Sequence, residues 1–97
     1  MAKLEVEHEF QGISTEECFK KCVSLIDSIG YTLFKKRDIA NLIICNRTEE
    51  NSRIDLTLSV SFDNPTIIRL NLSSDDLDEH ILNSESSRIF QILSENI

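Results

Sequence analysis

An α+β fold, in which one antiparallel sheet carries two helices on a single face, is what this 97-residue sequence predicts. Three observations lead there. Residues 14–30 have the apolar period of a helix and the chemistry of both its ends. Residues 31–73 fall into four successive strand-like runs, three of period two and one, 42–45, apolar on both faces, joined by short polar breaks, which is the pattern of an antiparallel meander. Residues 83–97 return to a helical period.

Taken in order, residues 3–10 alternate strictly. Leu4, Val6, His8 and Phe10 share one face, while Lys3, Glu5, Glu7 and Glu9 share the other, so the segment is a half-buried strand with an acidic wet face. Ser14-Thr15-Glu16-Glu17 is a capping box, with the Ser14 hydroxyl placed to accept a first-turn N–H and two acids placed to meet the helix dipole. Cys18, Phe19, Cys22, Val23, Ile26 and Ile29 form the apolar stripe that follows, and Gly30 stands where a left-handed C-cap belongs. Residues 31–36 read as a strand and 37–41 as a turn. Residues 42–45 form a strand that is apolar on both faces, and 48–52 form a polar loop. Ile54, Leu56, Leu58, Val60 and Phe62 then alternate with polar residues in the clearest strand of the chain. Asp63-Asn64-Pro65-Thr66 is a tight turn, because Asn-Pro fixes the bend. Residues 66–73 make the next strand, an acidic stretch covers 73–80, and the last helix is expected from Asn83 or Ser84 to Asn96.

The predicted order is β-α-β-β-β-β-α in one domain covering 1–97, with the first strand pairing with an edge of the meander so that its backbone groups are satisfied. The apolar content of 40% and charged content of 28% are those of a globular chain. No apolar run approaches 18 residues, so no membrane helix is expected, and the charged, alternating start is unlike a secretory signal; both point to the cytoplasm. The net charge of −7 repels phosphate backbones and anionic membranes, so neither nucleic acid nor membrane is an expected partner. The one basic cluster, Lys35-Lys36-Arg37 with Lys20 and Lys21, reads as a solvated face.

The helix ending in Gly30-Tyr31, the meander from Leu33 to Leu72, and the closing Ser87-Arg88-Ile89-Phe90-Gln91-Ile92-Leu93 resemble a group of small bacterial domains of unknown function. Some of these are attached to lipoproteins, and some are similar to the helix-grip domains of an outer-membrane assembly lipoprotein. Residues 1–18 also resemble the opening of START-like ligand-binding domains. The resemblance implies a helix laid over a curved sheet and carries no catalytic residues with it.

The candidate chemistry is sparse. His8, on the apolar face of the first strand, is expected to be a half-buried histidine rather than a ligand. Cys18 and Cys22 lie at i, i+4, and with Cys45 they define a possible thiol or soft-metal site whose simpler reading is core packing. Asp75, Asp76, Asp78, Glu79 and His80 are dense in hard ligands, but they lack EF-hand spacing and its glycine. Glycine-rich phosphate loops and nucleophile-elbow motifs are absent, so no enzyme activity, cofactor or metal is expected. The expectation is a non-catalytic binding or protein-interaction domain whose partner is another protein or a second copy. Ile43, Cys45 and Ile67 are expected as an apolar patch on the sheet face opposite the core. The alternatives are a helix-grip carrier of an apolar small molecule and a site built from the three cysteines.

Overall fold

The alternation at the amino terminus makes a strand, β1 (Ala2–Phe10), whose Leu4, Val6 and Phe10 are half-buried and whose Lys3, Glu5, Glu7 and Glu9 are exposed. A computed structural model describes residues 2–49, 51–62 and 65–97, with the Glu49 side chain left aside. Helix α1 (Thr15–Leu25) begins where the capping box predicts, with Ser14 Oγ accepting from the Glu17 N–H at 3.2 Å. Its regular part stops at Leu25, and the chain leaves through a Schellman closure. There the Tyr31 N–H donates to Ile26 O at 3.1 Å and the Gly30 N–H donates to Asp27 O at 3.0 Å. Gly30 holds φ at +87°, with open space where a Cβ would stand. Gly30→Ala is therefore expected to cost about 1 kcal/mol through backbone strain alone, read as a lower urea midpoint with an unchanged slope.

Four strands follow: β2 (Thr32–Arg37), β3 (Leu42–Glu49), β4 (Ser52–Val60) and β5 (Thr66–Ser74). They form an antiparallel meander, and β1 pairs antiparallel with β5, giving the order β1-β5-β4-β3-β2. The architecture is the expected α+β order β-α-β-β-β-β-α with a single five-stranded sheet. The hairpin between β3 and β4 is tighter than the polar loop expected over 48–52, since Thr48 pairs with Arg53 and Glu49 with Ser52; Glu50 lies outside the described residues. Within the turn expected at 63–66, Asp63 and Asn64 lie outside the described residues, while Ser61 clamps the turn's exit: its Oγ accepts from the Ile67 N–H and donates to Pro65 O, both at 2.9 Å. Phe62, read from sequence as the last inward residue of β4, lies past the strand end and is largely exposed.

Helix α2 (Glu79–Asn96) starts four residues before the expected Asn83. The cause is Asp78, whose Oδ1 accepts from the Ile81 N–H at 3.0 Å as an N-cap. Among the described residues no helix is long and apolar enough to cross a membrane. Helix α2 lies over β1 and β5, and α1 over β5 and β4, so both helices bury their stripes on one face of the sheet. The core is one cluster, built from Cys18, Cys22, Ile26 and Ile29 of the first helical segment, Leu82, Ile89 and Leu93 of α2, and the inward strand residues Leu56, Leu58, Ile68, Leu70 and Leu72.

The expected patch of Ile43, Cys45 and Ile67 does not form. Ile43 pairs with Leu58 and Cys45 with Leu56, which places both on the core face, 0% and 1% exposed. Directly opposed residues on neighbouring strands share a face, so the burial of Leu56 and Leu58 carries Ile43 and Cys45 inside. Ile67 remains on the open face, half-buried beside the Leu42 and Ile44 side of the sheet.

Candidate functional site

The residues that converge are ones the sequence did not single out. Tyr31 follows the Schellman closure and is buried at the end of the α1 segment. Arg47 follows Ile43 and Cys45 on the inward parity of β3, opposite Ile54. On α2, Leu82, Glu85, Ser86, Ile89 and Leu93 form the buried stripe, so a glutamate occupies a core position there and is only 8% exposed.

A buried carboxylate is tolerable only when its oxygens are met. Glu85 Oε2 accepts from the Tyr31 hydroxyl at 2.8 Å and from Arg47 Nη1 at 3.0 Å, and Oε1 accepts from Arg88 Nε at 2.6 Å. Arg88 also donates through Nη2 to Ile29 O at 2.6 Å. One carboxylate thus ties the end of the α1 segment, β3 and α2 together. Burial disfavours ionisation of Glu85, but the hydrogen bonds from Arg88 and Tyr31 and the charges of both arginines outweigh it and hold its pKa below the ordinary glutamate value. Tyr31 is pushed the other way, by burial first and by the neighbouring carboxylate second.

Beside this cluster, between the β3–β4 hairpin and the amino-terminal half of α2, a groove of about 460 Å³ opens to solvent. Ile54, Leu77 and Ile81 give it apolar walls, and Arg47, Arg88 and Ser84 border it with polar groups. Its volume is that of a small-molecule site. The composition suits a ligand with an apolar body and an anionic end, since a guanidinium presents several N–H donors in a planar fork that matches a carboxylate.

The sequence candidates lie elsewhere. His8 is exposed, not half-buried, and its ring packs edge-on against Phe10 at 5.0 Å and near Phe90 at 5.5 Å. Cys18, Cys22 and Cys45 are free and fully buried. Cys22 is raised, first by its hydrogen bond with Cys18 and then by burial, and burial pushes Cys45 up to about 12. Of the acidic stretch, Asp78 caps α2 and Asp76 Oδ2 accepts from the Arg53 N–H at 3.3 Å. Among the described residues no three metal-ligating side chains converge.

Glu85 has a sequence signal: it stands three residues after Leu82 and four before Ile89, inside an apolar stripe. A helix begun at Asn83 hides that placement by leaving Leu82 out. Comparison of the chain with protein-family models and with curated proteins returns no match.

Proposed function

We propose that this chain is a non-catalytic binding domain, and that the groove between the β3–β4 hairpin and α2 takes a small molecule with an apolar body and a carboxylate-like end. The observation that carries this reading is the apolar wall of Ile54, Leu77 and Ile81 set against two arginines held by the buried Glu85. Binding rather than catalysis fits the chemistry of the buried groups. Glu85 is held ionised by three donors, and Cys22 and Cys45 are held protonated; Cys18 is lowered by its hydrogen bond with Cys22, but it is fully enclosed in the core, where no substrate reaches it. Three free thiols suit a reducing, cytoplasmic setting, and the net charge of −7 argues against nucleic acid as the ligand.

Octanoate is a suitable probe, titrated into isotopically labelled protein and followed by amide chemical shifts. Saturable shifts are expected at Ile54, Leu77, Ile81 and Ser84. Ile81→Glu, at a partly exposed position, is expected to weaken them about tenfold by placing a like charge in the groove, with smaller changes for octanol. Shifts that do not saturate, or that Ile81→Glu leaves unchanged, overturn the reading.

A protein-interaction role is the second reading, favoured by the apolar side chains left in water near β2: Phe34 is 74% exposed and Ile39 95%.

A further inference from the structure

The two edges of the sheet carry complementary chemistry. On the open face, the β1 edge presents Glu5, Glu7 and Glu9, and the β2 edge presents Lys35 and Arg37. All six residues of β2 are exposed. On the helix-bearing side, α1 stops short of β2 and leaves a trough of about 680 Å³ bordered by Phe19, Val23 and the ion pairs Lys20–Glu16 and Lys36–Asp38. A strand added to β2 would send alternate side chains into that trough and the others beside Lys35 and Arg37. The pattern that fits is apolar alternating with acidic. Residues 4–10 of this chain read Leu-Glu-Val-Glu-His-Glu-Phe, and their strand is the sheet's other unpaired edge; Leu4, Val6 and Phe10 are only half-buried against their own core, which leaves part of each to face the trough.

We propose that β2 of one copy pairs with the β1 edge of a second copy, so that the sheet continues from chain to chain. Five strands alternating in direction make β1 and β2 run the same way, so the junction is parallel when both copies keep their helices on the same side. The two symmetric alternatives are opposed by charge. Pairing β2 with itself sets Lys35 and Arg37 against their own copies, and pairing β1 with itself sets Glu5, Glu7 and Glu9 against theirs; like charges directly across strands are destabilising. A bulged, lysine-bearing edge, with the bulge at Phe34 between Leu33 and Lys35, resists general strand pairing. Alternating glutamates are the partner against which its cations become favourable. The junction is head-to-tail and does not close on itself, and a six-residue edge is small, so assembly is weak, reversible and open-ended.

Sedimentation of the full chain tests this. The average mass is expected to rise about twofold above the 11.1 kDa monomer between roughly 20 µM and roughly 1 mM at low salt, and to return to monomer near roughly 0.5 M salt. The double variant Lys35→Glu with Arg37→Glu and the single variant Glu9→Lys (Glu5 and Glu7 stay to pair with Arg69, as they do at 3.5 and 3.3 Å) are each expected, when alone, to associate far less than the parent and to associate when mixed. A mass fixed at 11.1 kDa throughout, or a charge variant that assembles like the parent, overturns the proposal. If a variant fails to fold, a synthetic peptide of residues 2–10 added to the labelled parent gives the second readout. Low-salt shifts confined to residues 32–37, absent with a scrambled peptide, support the pairing. Peptide binding at β2 by a chain that itself never associates overturns the second copy as occupant and leaves a foreign acidic strand.

Discussion

Ile43→Asp is expected to abolish folding, whereas Ile44→Asp, one residue along the same strand, is expected to leave a folded protein that loses about 1 kcal/mol or less. The contrast follows from the pairing of β3 with β4. Ile43 stands opposite Leu58, fully enclosed, and Ile44 stands opposite Thr57 on the open face next to Lys35. An aspartate at 43 must either ionise without a partner inside the core or stay protonated at a cost of several pKa units, and it also deletes the packing of a whole isoleucine. Either route exceeds about 5 kcal/mol, which is comparable with the entire stability of a domain this size. Far-ultraviolet circular dichroism and the urea midpoint of the two variants decide the matter. Equal tolerance at both positions would put the face assignment of β3 in error.

That strand also shows where the sequence stopped being readable. Elements with a strict period were legible: β1, α1 with its Ser14 cap and Gly30 closure, β4 and β5 each lie within a few residues of where periodicity puts them. Residues 42–45 have no alternation, so the sequence holds no local sign of which face is inward. The next residues mislead further, because the inward position after Cys45 is Arg47, a residue normally assigned to solvent. Register is fixed instead by the tight hairpin that pairs Glu49 with Ser52, a feature hidden while 48–52 reads as a loop. The same kind of exception concealed the candidate site. Glu85 and Arg47 are charged residues at apolar parity, and each is intelligible only beside the other. Pattern reading of one element at a time treats such positions as exposed, and only the tertiary pairing shows that they are inside. On the open face, by contrast, the side taken by Ile67 is legible, because the buried Ile68 and Leu70 set a clear alternation.

Glu85→Gln is expected to lower stability by about 3 kcal/mol at neutral pH. The amide keeps the volume and its oxygen can still accept from Tyr31 and Arg47, but two guanidiniums lose the carboxylate that compensates them, and an NH2 stands where Oε1 accepts from Arg88 Nε. Breaking a buried pair by removing one partner costs about 3–5 kcal/mol, and the partial exposure of Arg47 and Arg88 lets solvent recover part of it, which places the effect at the low end. Tyr31→Phe serves as the internal comparison. It removes a single hydrogen bond to the same oxygen and is expected to cost about 1 kcal/mol, because the phenyl ring fills the same space. The pH dependence separates charge from packing. The folded pKa of Glu85 lies below its unfolded value, so between the two the unfolded chain holds more protons and stability rises with pH. The carboxylate's contribution is therefore fully present above the unfolded glutamate pKa and is lost as pH falls through the depressed folded value. Urea midpoints of the parent and the glutamine variant should converge in acid and separate towards neutrality. A gap of constant size across that range would mean that shape, and not the charge held between three elements, is what Glu85 supplies. Because the same carboxylate fixes Arg47 and Arg88 at the rim of the groove, octanoate binding should weaken in Glu85→Gln even under conditions where the variant is fully folded, whereas Tyr31→Phe should bind as the parent does.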